Sequence, residues 1–362
     1  MDKFNIAFSG ILTHSGGYSE LTRNVAEILA EHDYLRRLDI RDVATFQPLP
    51  LETFCSANFL QIKNKLADAK PFYDAPNTVI QFVPPFMMIP ADTLNVGITM
   101  FETRVPDKWF DNLKHVKYLL LHDAFQRDLF ARPGCPKIIP WEPWVSDPMD
   151  FPPPISLEIV PGNKFFLTVG VARVHKNHSK IIEAFKDFRK GNPEYYLVIK
   201  SITEDKEYDD YRDQLDDDHI IVIPGPYSVA AMNALYVNCA AYVSASMCEG
   251  LDMPAIKAAK CGKPVLMGRH TGHIDWMPAD MSELKTTPID LSLLPHVHPR
   301  YREGKMPGYD TTTTELLKHM HLMTDSPNMY KADLRERFTR KRCEESLVKA
   351  LATIKCGEEI KK

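Results

Sequence analysis

The sequence offers no cysteine pattern to build on. Its seven cysteines, at positions 55, 135, 239, 248, 261, 343 and 356, are odd in number, scattered, and never spaced as C-x-x-C. That excludes a disulfide scaffold or a thiolate metal cluster as the organising principle and fits a compartment that keeps thiols reduced. No apolar run approaches the ~18 residues of a membrane-spanning helix. The opening M-D-K-F-N-I-A-F-S-G lacks the charged stretch and long apolar core of a secretory signal and reads as a strand, so the expectation is a cytoplasmic protein. An excess of one charge sign is missing too: residues 1–150 hold 15 Lys and Arg against 19 Asp and Glu, and the rest holds 29 against 29. Broad binding to nucleic acid or to an anionic membrane therefore lacks its usual compositional footprint. There is no internal repeat, and no D-x-D pattern stands where it would hold a divalent ion, since Asp216–Asp218 falls in a polar, loop-like stretch.

What is present is an ordinary globular composition, 44% hydrophobic and 25% charged, in 362 residues, a length that predicts two domains. Residues 5–8 read as a strand, followed by the loop S-G-I-L-T-H-S-G-G-Y and a helix carrying Leu21, Val25, Ile28 and Leu29. The run V-I-Q-F-V stops at Pro84 and Pro85. Residues 96–101 form a strand that delivers Glu102 and Thr103 to its carboxyl end, with a helix from about Pro106, and V-K-Y-L-L-L is another strand with His122 and Asp123 at the turn after it. Six prolines between residues 140 and 154 mark an interdomain linker. Beyond it, residues 165–169 are a continuous apolar strand against which Ile181, Ile182, Ala184 and Phe185 open a helix. Y-Y-L-V-I-K and H-I-I-V-I are further strands, residues 278–310 read as a long proline-rich loop, and residues 314–323 and 332–354 as helices. Strand and helix alternate on both sides of the linker, which predicts an α/β fold.

The most informative stretch is residues 244–265, S-A-S-M-C-E-G-L-D-M-P-A-I-K-A-A-K-C-G-K-P-V. Pro254 opens a short helix that Gly262 closes. The loop before it carries Glu249 and Gly250 to the carboxyl end of a strand and the amino end of a helix, where open α/β sheets bind ligands and free N–H groups favour phosphate. Any buried strand-loop-helix unit would share that outline. The residues, however, resemble the signature of glycosyltransferase family 4, the retaining GT-B glycosyltransferases, in Glu249, Gly250, Pro254, Ala258, Cys261, Gly262, Pro264 and Val265. Two positions depart from it: Asp252 stands where a second Gly is usual, and Lys257 where a second Glu is usual.

The resemblance implies a GT-B architecture, two Rossmann-like parallel-sheet domains facing a cleft. Residues 1–150 would be the acceptor-side domain, 151–325 the nucleotide-sugar domain, and 326–362 a helix crossing back to the first. K-F-F-L-T-V-G-V-A-R-V-H-K-N is similar to the family's diphosphate loop, with Lys176 on the family lysine, Asn177 after it, and Arg173 in place of the arginine usually found where Val171 stands. Gly16 and Gly17 match a Gly-Gly loop that faces the donor, although a plain turn would look the same. Pro226 and Tyr227 lie where the nucleotide base sits, and Gly250, Leu251, Asp252, Met253 and Lys257 in the donor loop. The turn H-T-G-H-I-D-W-M resembles the family's Gly-Gly-x-x-Glu segment, with His273 and Asp275 replacing Gly and Glu.

The implied chemistry is sugar transfer from a nucleotide-diphosphate sugar, with no other cofactor and no metal. Lys176 and Arg173 would stabilise the leaving diphosphate, the dominant kind of catalytic term at such sites, unless they merely decorate a surface loop. Glu249 would accept hydrogen bonds from donor-sugar hydroxyls. Glu102 and His122 are acceptor-side candidates, Glu102 equally readable as a capping carboxylate, and His14 is a weaker one. Lys257, which has donors and no acceptor, would either turn toward the diphosphate or simply be solvated. The acceptor could be a glycan, protein, lipid or modified nucleic acid, including a phage-type modified DNA base. A catalytically impaired nucleotide-sugar-binding protein is the alternative of another class.

Overall fold

The computed structural model describes residues 4–12, 16–31, 35–42, 78–150, 159–201 and 212–359. By contacts the chain divides into two compact units, Met1–Phe101 with Val105–Val145 and Phe338–Lys362, and Glu102–Arg104 with Ser146–Arg337. No helix among the described residues is long and apolar enough to cross a membrane.

The first unit alternates β1 (Phe4–Gly10), α1 (Gly17–Glu31), β2 (Leu35–Asp42), β3 (Thr78–Phe82), β4 (Leu94–Ile98), α2 (Phe110–Leu113), β5 (Tyr118–Leu121), α3 (Ala124–Phe130) and β6 (Lys137–Pro140). The strands pair in parallel in the order β2-β1-β3-β4-β5-β6. Ile80, Phe82, Val96, Ile98 and Leu119 are buried, the near-continuous apolar character of strands covered on both faces. Helix α1 lays Leu21, Val25, Ile28 and Leu29 on the sheet. It comes so close that a Cβ at Gly10 would stand 2.3 Å from Thr22 Cγ2, so β1 needs a glycine there.

The second unit runs β7 (Phe165–Val169), α4 (His178–Arg189), β8 (Tyr196–Lys200), β9 (Ile220–Ile223), α5 (Val229–Asn238), β10 (Ala241–Val243), α6 (Met253–Lys260), β11 (Val265–Leu266), β12 (Thr287–Asp290), β13 (Pro307–Asp310) and α7 (Thr313–Asp325). Its parallel sheet has the order β11-β10-β7-β8-β9. Phe166, Ile181, Ile182, Phe185, Phe188, Leu197, Val243 and Leu266 form its core, closed by Leu316 and Met320 of α7. The chain winds outward from β7 to β9 and then returns to β10 on the other side of β7. Strand order therefore reverses between β7 and β10, which makes the carboxyl ends of these two strands the switch point where ligands bind in such sheets.

Three readings of the sequence are corrected here. Residues 278–310 are not simply a loop: β12 and β13 pair antiparallel, with tight helical turns at Leu291–Leu293 and Pro299–Tyr301 between them. The strands T-P-I-D and P-G-Y-D are too short and too rich in breakers to announce themselves. The last helix, α8 (Arg340–Glu359), begins well after residue 332, because Phe338 has a left-handed φ of 54° and Thr339 Oγ1 caps the helix by accepting from Arg342 N–H. It belongs to the first unit, where Cys343, Leu347, Ala350 and Ile354 are buried and Glu358 accepts from the Tyr118 hydroxyl at 2.7 Å. The strand that precedes Glu102 stops at Ile98, before Thr99 pairs with the Tyr18 hydroxyl and Gln126 bonds both backbone groups of Phe101.

Candidate functional site

Beyond β7 the chain passes Gly170, extends through Arg173, makes a single tight turn over Val174–Lys176 and enters α4 through Asn177, whose φ of 58° is left-handed. An asparagine tolerates that backbone better than most residues. The turn aims Lys176 across the switch point at the loop after β10, and its Nζ lies 2.5 Å from Glu249 Oε1. Asn177 donates to Asp310 Oδ1 at 3.0 Å and Lys180 to Asp310 Oδ2 at 2.5 Å, so β13 holds this end of α4. A cavity of about 190 Å³ opens beside it, lined by Arg173, Asn177, His178, Ser179, Met247 and Pro295.

The loop after β10 is fixed from behind by the turn at Thr271–His273. Glu249 N–H donates to Thr271 Oγ1 at 3.0 Å, Gly272 N–H to Glu249 O at 2.9 Å, and Trp276 Nε1 to Leu251 O at 3.0 Å. A Cβ on Gly272 would stand 2.3 Å from Gly250 O, so only glycine permits this approach. Asp252, with a left-handed φ of 59°, caps α6 by accepting from Ala255 N–H, and its other oxygen meets Ser244 Oγ at 3.1 Å and His273 Nε2 at 3.0 Å. The position where the family pattern carries glycine thus keeps a glycine-like backbone while adding a carboxylate.

A second ionic group adjoins the first. Arg300 Nη2 donates to Glu102 Oε1 at 3.2 Å and to the Tyr301 hydroxyl at 2.6 Å, and that hydroxyl donates to Glu102 Oε2 at 3.1 Å. Tyr301 also presents its ring to His175 in an edge contact at 5.1 Å.

These side chains set one another's charge. Burial disfavours the Lys176 ammonium, but the Glu249, Asp252 and Glu102 carboxylates outweigh it and hold its pKa above the usual lysine value. Burial, aided by Asp252, lifts the Glu249 pKa above the ordinary carboxylate value against the pull of Lys176. Glu102 is half-buried, and Arg300 and Lys176 outweigh the desolvation and hold it below that value. Burial and the Lys176 charge drive His178 down to about 3, and burial with the Arg173 and Arg300 charges takes His298 to about 4. His175 is depressed for the same reasons. The site is a group of fixed cations and carboxylates rimmed by neutral imidazoles.

Lys176, Arg173, Glu249, Glu102, Asn177, Gly250, Leu251, Asp252 and Met253 all fall in the second unit, and the pairings above bring Lys176, Glu249 and Asp252 together. Leu251 and Met253 are buried, so the loop offers backbone and not these side chains. Pro226 is exposed beside Tyr227, and Lys200 Nζ sits 5.0 Å over the Tyr227 ring while donating to Ser201 O and Gly225 O. Lys257 is half-buried and its charge bears on the Cys261 thiol one turn along α6. In the first unit, Gly16 accepts from Glu20 N–H at the start of α1, Gly17 is exposed, and the buried His122 ring lies 2.9 Å from Asp123, the cap of α3. His14 lies outside the described residues. Asp216 and Asp217 pair with Lys186 and Arg189 of α4. Sequence reasoning missed Arg300, Tyr301, His298 and Asp310, which sit in or at the end of the segment read as a loop. A run of charged and aromatic residues between prolines was the available signal.

A family model described as glycosyl transferases group 1 matches residues 154–277. No curated protein matches the chain. Among solved structures, a sucrose-phosphate synthase from Thermosynechococcus elongatus superposes with a TM-score of 0.61 at 11% identity, covering 98% of each chain. WaaG, a glycosyltransferase involved in lipopolysaccharide biosynthesis, gives 0.58 at 12% identity, covering 91% of this chain and 94% of its own. A UDP-forming α,α-trehalose-phosphate synthase from Burkholderia xenovorans gives 0.58 at 10% identity, covering 96% and 99%. At such identities the likeness is one of fold, and these folds are GT-B. The chain thus has a GT-B fold of two Rossmann-like parallel sheets, in which residues 154–277 are similar to the glycosyl transferases group 1.

Proposed function

We propose that the chain is a retaining, metal-independent glycosyltransferase that moves a sugar from a nucleotide-diphosphate sugar to an acceptor hydroxyl in the cytoplasm. The observation that carries this reading is the contact of Lys176 with Glu249 across the switch point of the second sheet, with Arg173 on the same loop. The diphosphate would draw Lys176 away from Glu249, and its charge would be met by Lys176, Arg173 and the amino end of α4. Glu249, released, would accept from the donor-sugar hydroxyls. As the sugar C1–O bond breaks, negative charge grows on the leaving phosphate oxygen, where a lysine held protonated stabilises it without reorganisation. The acceptor oxygen then bonds C1 on the face the diphosphate leaves, and its proton departs with the nucleoside diphosphate. Glu102, whose oxygens are engaged by Arg300 and Tyr301, would hold Arg300 beside this charge.

A panel of nucleotide sugars tests the reading, scored by release of nucleoside diphosphate and by thermal stabilisation. One of the neighbouring folds is UDP-forming, so uridine-diphosphate sugars are the first to try. A chain that neither hydrolyses nor is stabilised by any of them is not a glycosyltransferase of this kind.

A further inference from the structure

We propose that Asp252 and His273 form a charged latch that positions the Glu249 carboxylate, and that the two residues act as one unit. The inference rests on reading Glu249 as the group that holds the donor sugar. The turn containing Glu249 is pinned at its front by Thr271 and Gly272 and through Leu251 O by Trp276. At its far end the pin is the contact of His273 Nε2 with Asp252 Oδ2, 3.0 Å long, between side chains that are 1% and 3% exposed.

The hydrogen bonding fixes the charge state. His273 Nδ1 lies 2.8 Å from Gly268 O, and a carbonyl can only accept, so Nδ1 carries a proton. One further proton lies between Nε2 and Asp252 Oδ2, and the donors on both Asp252 oxygens favour the carboxylate, which puts that proton on the ring and makes it an imidazolium. Asp252 also accepts from Ser244 Oγ on Oδ2 and from Ala255 N–H on Oδ1. The other charged or titratable groups bearing on the pair are Glu249 and Lys176 from the two site loops, the Tyr242 hydroxyl of β10, and the His270 ring, centred 5.3 Å from His273, with the Trp276 ring edge-on at 6.0 Å. Burial opposes both charges, yet each partner outweighs it, so Asp252 lies below its ordinary pKa and His273 above.

The latch matters because two of the carboxylates acting on Lys176, Glu249 and Asp252, stand on the same loop. With His273 neutralising Asp252, the ammonium is left to Glu249 and to an incoming diphosphate. Without His273, Asp252 competes for Lys176; without Asp252, His273 is a buried ring that sheds its charge, and the turn loses its far pin. Both residues stand at positions where the resembled pattern has glycine, so each substitution makes sense only in the company of the other.

Nitrogen-15 NMR of the full chain labelled in histidine tests the charge state without reference to activity, the His273 signal being identified by its loss in His273→Gln. The expected result is a doubly protonated ring that persists above the ordinary histidine range, converted by Asp252→Asn at neutral pH to a neutral ring protonated on Nδ1. A neutral His273 in the wild type at neutral pH overturns the latch. With the nucleotide sugar the wild type turns over, Asp252→Asn and His273→Gln should each lower kcat about tenfold, while calorimetric affinity for free UDP changes less than about threefold. The double variant, whose amides still bond, should be no worse than the poorer single variant. Multiplying losses, or equal losses in UDP affinity, would reduce the pair to a structural contact. If the wild type turns over no nucleotide sugar, the glycosyltransferase reading fails, while the NMR result still decides the latch.

Discussion

Replacing Lys176 by alanine removes a cation from a place where three carboxylates, Glu249, Asp252 and Glu102, stay behind. Its effect on turnover is the loss of one preorganised charge at the developing phosphate oxyanion, about 3 kcal/mol or roughly two powers of ten in kcat. Its effect on stability comes from Glu249, whose side chain is only 10% exposed and whose ammonium partner, 16% exposed, is gone. Breaking a fully buried pair costs about 3–5 kcal/mol, and the residual solvent contact puts this one near the low end, about 3 kcal/mol at neutral pH. The sign of the pH dependence follows. Glu249 is already raised by burial, and without Lys176 it is raised further, so the deficit is present above that pKa and shrinks as acidification protonates the carboxylate. The assay is the thermal midpoint of wild type, Lys176→Ala and Lys176→Ala/Glu249→Gln from mildly acidic to neutral pH, beside kcat at saturating donor. The double variant should regain the midpoint and not the turnover. A Lys176→Ala enzyme with near wild-type kcat would refute the diphosphate role, and a deficit indifferent to pH would refute the electrostatic account of the pair.

Glu249→Gln should lower affinity for the nucleotide sugar more than for the free nucleotide diphosphate, because an amide keeps one acceptor oxygen where a carboxylate has two; calorimetry with both ligands decides. Lys200 is buried and its pKa is pushed down to about 8 by desolvation, so folding binds its proton less tightly than the unfolded chain does. Stability should then rise between about pH 8 and the ordinary lysine value, and Lys200→Met should abolish that rise in a series of thermal midpoints. Lys257→Glu should weaken binding of the diphosphate, and a variant that binds the donor more tightly would return Lys257 to a surface role.

Much of the second unit was legible because its strands are buried on both faces and so appear as unbroken apolar runs. F-F-L-T-V and Y-L-V-I-K became β7 and β8, and Pro254 and Gly262 bracketed α6 within a residue. The loops after β7 and β10 were legible for a different reason, the resemblance of the residues around Lys176 and Glu249 to a family pattern. What escaped was long-range. Asp252 and His273 are 21 residues apart, and each alone looks like a loss of glycine; only the fold shows that one replacement answers the other. Arg300 and Glu102 are 198 residues apart, and no local period links them. Residues 332–339 contain good helix formers, but the left-handed Phe338 and the bond from Val145 N–H to its carbonyl override that propensity.

The path of the chain through its two units has a consequence for synthesis. The sheet of the first unit is complete once β6 has been made, yet the surface on which Tyr118 sits is covered by α8, whose Glu358 lies 240 residues later in sequence. A ribosome therefore finishes the whole second unit before it supplies the helix that closes the first. During that interval the nascent chain carries an open apolar face, the natural substrate of a holding chaperone, and any stall inside the second unit prolongs its exposure. Substitutions at Leu347 or Ile354, on the buried side of α8, would on this account reduce the yield of soluble chain more than they reduce the activity of the molecules that fold.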